Sequence, residues 1–143
     1  YAPGSGDPNN FNLNDCSTQR NLSEDGRKQA QKIGEFFKKN QINIEKVFSS
    51  EWCRCKETAE IAFEDYSTKN FLNSFYSAKY IKNKTKQIEE LSDYVRHFKS
   101  GQNLVFVTHY VLISEVLNYA PSSGEIVVSD KNFNMIGSIE INY

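Results

Sequence analysis

Leu104-Val105-Phe106-Val107 is an unbroken apolar run with Thr108-His109-Tyr110 directly behind it. A strand with one wet face alternates apolar and polar residues. A continuous run belongs to a strand covered on both faces, and such strands are the central, parallel members of α/β sheets. Ligands in open sheets of that kind bind beyond the carboxyl ends of the strands, near the starts of the following helices. The run therefore predicts a buried parallel strand over 104–107, and it places His109 where such folds keep their chemistry.

The rest of the chain supplies the partners of that strand. Ser23 is a good N-cap, Glu24 and Asp25 suit the positive end of a helix, and Gly26, Ala30, Ile33 and Phe37 recur at helical spacing, which predicts a helix over 24–40. Ile42, Ile44, Val47 and Phe48 predict a short strand. Ser49-Ser50 closes it and can cap a second helix with Trp52, Cys55, Ala59 and Ala62 on one face. Residues 64–81 are aromatic but aperiodic and predict a loop over the core. Ile88, Leu91, Val95 and Phe98 mark a third helix that stops near Gly101, and Val111 to Asn118 a short fourth one, broken before Pro121. Residues 125–128 and 135–141, with turn chemistry at Asp130, Lys131 and Asn132, predict an antiparallel hairpin at the sheet edge. The alternation predicts one domain over 1–143, a three-layer α/β/α sandwich with a mostly parallel sheet.

Composition narrows the function. A chain of 143 residues can bury one full core. Its 17 basic and 18 acidic side chains are interspersed and form no basic stripe, which argues against a nucleic-acid partner. No apolar run approaches the roughly 18 residues of a membrane span. The opening Tyr1-Ala-Pro-Gly has no signal-peptide character and reads as the inside of a loop, so the chain is expected to be a processed form or a piece, from the cytoplasm, or from the periplasm if a leader was removed. Gly4-Ser5-Gly6-Asp7-Pro8 lacks the lysine of a P-loop. Neither Ser5 nor Ser123 sits on a glycine-flanked strand-to-helix elbow, which argues against a serine hydrolase. Cys16, Cys53 and Cys55 do not form a zinc box, and no cofactor is expected. They read as small half-buried side chains. In an oxidising compartment Cys16 can bond either of the others, and a weaker idea is a thiol or metal site of these three with His109.

Two residues are suited to an anion. Arg54 lies in the first turn of the second helix and His109 just past the central strand, each beside the positive end of a helix. An arginine fork grips a phosphoryl group in two places, while an imidazole donates to another oxygen and stabilises developing charge. Taken alone, Arg54 is an ordinary solvated helix arginine, and His109 is as easily a capping residue. His97 sits in the last turn of a helix, where the dipole favours it, and is given no chemical role.

Their context changes the balance. Thr18-Gln-Arg-Asn-Leu-Ser-Glu-Asp-Gly-Arg-Lys-Gln-Ala30, then Ser49-Ser-Glu-Trp-Cys-Arg-Cys-Lys-Glu-Thr-Ala59, then Val107-Thr-His-Tyr110 resemble, in order and spacing, the motifs of the histidine phosphatase superfamily, also called phosphoglycerate-mutase-like. Ser123-Gly-Glu-Ile-Val-Val128 is similar to the strand start that follows in a bacterial phosphatase branch. The resemblance implies that Arg54 and His109 are phosphate-binding and catalytic, that no metal is used, and that the substrate is a phosphorylated small molecule or phosphoprotein. It implies hydrolysis through a phosphohistidine formed on an Arg-His pair at the end of a first, central strand. No such pair occurs here; Arg96-His97 lies on a helix with the wrong neighbours. The expectation is thus a domain lacking its first central strand at the N-terminus and inactive for want of the nucleophile, or else a non-catalytic phosphate-binding or interaction domain on the same fold. For the acid that protonates the leaving group, Glu125 and Asp7 are candidates, beside Glu64 and Asp65.

Overall fold

Helix α1, Glu24–Lys39, begins where Ser23 Oγ accepts a hydrogen bond from Gly26 N at 3.0 Å, with Glu24 and Asp25 in its first turn and Lys38 and Lys39 in its last. In this computed structural model, which describes residues 1–143, its Ala30, Ile33 and Gly34 are buried. It packs on helix α2, Cys53–Phe63, whose buried side is Cys53, Cys55, Ala59 and Ala62. Gly34 makes the close approach possible, because a Cβ there would lie 2.5 Å from Ala62 O.

Between the two helices runs strand β1, Ile44–Ser49, which pairs in parallel with β2, Ser67–Thr68, and with β3, Asn103–Val107. Val47 and Phe48 are both buried. Neighbouring residues of a strand point to opposite faces, so β1 is covered on both. Phe48 joins Phe71, Leu72, Phe75, Leu91, Val95 and Leu112 in the core. Leu91 and Val95 belong to helix α3, Lys84–His97, and Leu112 to helix α4, Tyr110–Leu117. The aperiodic stretch after α2 does cover the core: Phe71, Leu72 and Phe75 are buried, Leu72 completely. It also contributes the short strand β2 and helical turns at Asn70–Leu72 and Ile81–Asn83.

The fold is mixed α/β, with a three-stranded parallel sheet in the order β2-β1-β3. Strands β4, Ile126–Ser129, and β5, Met135–Ile139, form the expected antiparallel hairpin, but as a sheet of their own. Asp130 Oδ1 closes its turn by accepting from Asn132 N at 2.9 Å and Asn134 N at 3.0 Å.

Two expectations need correction. Strand β3 has the composition of a strand buried on both faces, yet none of its residues is fully buried, because β1 pairs with one edge and nothing pairs with the other. The cap of α2 is Trp52, without a side-chain bond, since Ser50 Oγ stops short and accepts from Trp52 N at 3.1 Å. No helix is long and apolar enough to cross a membrane.

Candidate anion site

The carboxyl ends of β1 and β3 lie side by side, with Ser49 paired to Val107 and Ser50 N donating to Val107 O at 2.9 Å. The segment after β1 leads into α2 and that after β3 into α4, so the first turn of one helix faces the N-cap of the other. Arg54 stands in that first turn and His109 is that N-cap. The pairing of two parallel strands thus brings together residues 55 positions apart, with Arg54 Nη2 3.4 Å from His109 Nδ1.

The surroundings of His109 fix its proton. A guanidinium only donates, so the nitrogen facing Arg54, Nδ1, is the acceptor, and the proton sits on Nε2. Nε2 lies 2.8 Å from Ser50 Oγ, which receives that proton and donates its own to Asn73 Oδ1 at 3.2 Å. His109 is only 6% exposed. Burial first, and then the charges of Arg54 and Arg20, hold its imidazole well below its usual range, so it is neutral at physiological pH. Trp52 packs edge-on against the ring at 5.3 Å between centroids.

Ser50 beside a histidine looks like a nucleophile and its base. It is fully buried, however, and the Nε2 proton points toward it, so the pair is an orienting contact. Cys55 Sγ lies 3.7 Å from the same nitrogen, but burial pushes its thiol up to about 11, which keeps it protonated and unreactive. The other two cysteines form a Cys16–Cys53 disulfide with a Cα–Cα distance of 5.8 Å. This resolves the choice left open by the sequence and corrects the idea of a three-thiol site. The bond ties the loop before α1 to the residue next to Arg54.

That loop carries two more groups into the site. Asp7 Oδ1 lies 3.1 Å from Arg54 Nη1 and accepts from Arg20 N at 3.1 Å, while Asp7 Oδ2 accepts from Trp52 Nε1 at 3.1 Å. Its carboxylate holds the donors an external anion would use. Arg20 donates through Nε to Gly6 O at 2.8 Å and through Nη1 to Ala2 O. Desolvation, then the neighbouring Arg54, lower its pKa, and both guanidinium side chains belong to residues that line one groove. Gln19 Oε1 accepts from Cys53 N at 2.9 Å and fixes the start of α2.

The remaining candidates make no hydrogen bond to Arg54 or His109, although Glu125 lines the same groove. Glu125 accepts from Tyr119 Oη and, at 2.8 Å, from Ser122 N; the Tyr119 bond first holds its carboxyl below the usual range. Glu64 ends α2 and Asp65 follows it, both exposed. His97 Nδ1 is 2.8 Å from Asp93 O on the exposed side of α3. Sequence reasoning missed Arg20, Ser50, Gln19 and the pairing role of Asp7. Arg20 lies inside the Thr18–Ala30 run that carried the resemblance, three residues before the α1 cap, and that position was its available signal.

Residues 12–75 match the family model described as histidine phosphatase superfamily (branch 1), a span that includes Arg20 and Arg54. Among solved structures, the chain is similar to the product of the open reading frame Rv3214 from Mycobacterium tuberculosis, with a TM-score of 0.50 and 15% identity over 70% of this chain and 68% of that one. At that identity the likeness concerns the fold. No curated protein matches the chain.

Proposed function

We propose, from the match of residues 12–75 to the histidine phosphatase superfamily (branch 1), that the chain is a member of that superfamily and that its site is a phosphatase-type phosphoryl pocket in which Arg54 and His109 hold one phosphate group. The observation that carries this reading is the 3.4 Å approach of Arg54 Nη2 to His109 Nδ1 at the adjoining ends of two parallel strands. Arg54 and His109 border the groove together with Arg20. A phosphoryl oxygen entering there displaces the Asp7 carboxylate from Arg54 and takes a bidentate grip. His109 Nδ1 then serves as a donor once protonated, and the incoming dianion offsets the burial that keeps the ring neutral beforehand. The substrate class is a phosphorylated small molecule or a phosphoprotein, handled without a metal.

The same residues bind and polarise but do not accept the phosphoryl group. Of the two histidines, His97 is on α3 outside the groove, and His109 turns its protonated nitrogen away toward Ser50. Cys55 and Ser50 are buried. These 143 residues therefore retain phosphate binding without turnover, a state in which a phosphohistidine route lacks its nucleophile. The second reading, a non-catalytic phosphate-binding module, rests on this same observation. Hydrolysis of an aryl phosphate by the purified chain separates the cases. We expect a rate no higher than background. Turnover that Arg54→Ala abolishes would show that a residue within the chain accepts the phosphoryl group.

A further inference from the structure

Tyr76 and Tyr110 are large aromatic side chains left 65% and 56% exposed near a charged site, and neither stacks on another ring of the protein. Tyr110 directly follows His109 and opens α4. Tyr76 approaches from the loop after α2: its Cε1 lies 3.8 Å from the point where a side chain on Gly6 would begin. Gly6 O accepts from Arg20 Nε at 2.8 Å, and the next residue, Asp7, binds Arg54. Both tyrosines border the groove with Arg54 and His109.

Neither exposure comes from loosely held chain. Tyr76 follows the buried Ser74 and Phe75, and its own N–H donates to Ser74 Oγ at 3.2 Å. Tyr110 is held by α4, whose Leu112 lies in the core. The other rings near the anion donors are already engaged. Trp52 is buried, edge-on to His109 and stacked on Phe11 at 5.0 Å between centroids. Tyr80 meets Trp52 edge-on at 5.7 Å and has Lys79 Nζ over its ring at 5.4 Å. Two rings, those of Tyr76 and Tyr110, are therefore left with faces free for a ligand.

The chemistry of those faces selects what they meet. The face of an aromatic ring carries negative potential, so it is a poor partner for a phosphate dianion, which the guanidiniums serve instead. A ring attached to that phosphate is a good partner, because an offset or edge-on aromatic pair adds stability beyond the area it buries. A saturated chain or ring covers the same surface without that gain. Tyrosines held on fixed supports also lose little freedom when a ligand stacks on them. We infer that Tyr76 and Tyr110 are specificity residues for an aromatic group that carries the phosphate, an aryl phosphate in the form of a free molecule or of a phosphorylated tyrosine. This role rests on the reading of Arg54 and His109 as the phosphate grip.

The test titrates the 143-residue protein, followed by NMR, with inorganic phosphate, phenyl phosphate and cyclohexyl phosphate, the two esters being alike in charge and size. Phenyl phosphate is expected to bind at least about fivefold tighter than cyclohexyl phosphate, the gain of one or two aromatic pairs. Tyr76→Ala and Tyr110→Ala each reduce that preference by at least about twofold, and Tyr76→Phe keeps it. Equal binding of the two esters, beside measurable binding of inorganic phosphate, overturns the aromatic role and leaves the phosphate reading standing. A preference that neither alanine variant reduces does the same. Binding of none of the three ligands removes both readings together. A short peptide holding phosphotyrosine distinguishes the sources. Tighter binding than phenyl phosphate assigns the ring to a protein side chain, equal or weaker binding assigns it to a free molecule, and each upholds the aromatic carrier.

Discussion

The two edges of β3 contrast sharply. On the β1 side the strand is paired in register, its neighbour is covered on both faces, and the loop ends bring Arg54 and His109 together. On the β4 side the same apolar residues border an open groove, and the hairpin beyond it leaves Ile136 70% exposed. Burial of a strand is thus set by what pairs with it and packs on it as much as by its own side chains. The site is ordered on the completed side, where backbone pairing brings Arg54 and His109 together.

If that contrast is energetic as well as geometric, substitutions on the completed side cost far more than those on the hairpin. The largest effect is expected from breaking the Cys16–Cys53 bond, which closes 37 residues of chain. Cys16→Ser with Cys53→Ser lowers stability by about 4 kcal/mol on a loop-entropy basis, measured by urea denaturation. Leu72→Ala, at a fully buried position in the core beside β1, costs about 3 kcal/mol in the same assay.

Protonation of His109 gives a smaller, pH-dependent loss. Its folded pKa is depressed below the ordinary 6.5, so the unfolded chain binds the extra proton first. Stability is complete above about pH 6.5 and declines as pH falls below it, with a slope approaching one proton. His109→Gln flattens this part of the pH profile. Smallest of all, Ile136→Ser on β5 changes stability by no more than about 0.5 kcal/mol. A cost near that of Leu72→Ala would break the contrast, because it would mean that the hairpin is packed as firmly as the core.

Much of this was legible in local chemistry. Ser23 with its following acids announced α1, the apolar run announced β3, and the strand-to-helix junctions announced that Arg54 and His109 would lie side by side. What stayed hidden depends on distant partners. Two cysteines on α2 stood two residues apart, and only the fold shows that Cys53 faces Cys16 while Cys55 turns toward His109. Arg20 lies in a loop whose course is set by Asp7, Gly6 and Ala2, none of which has a periodic signal. The half-exposure of β3 and the separation of the hairpin follow from an unpaired edge, which the composition of a strand does not encode.

The central claim is that one guanidinium and one imidazole serve the same anion. Inorganic phosphate titrated into the 143-residue protein, Arg54→Ala and His109→Gln, followed by NMR, tests it directly. Each substitution is expected to weaken binding by at least about tenfold, the loss typical of one charge-assisted hydrogen bond. Phosphate affinity unchanged by Arg54→Ala would contradict the account.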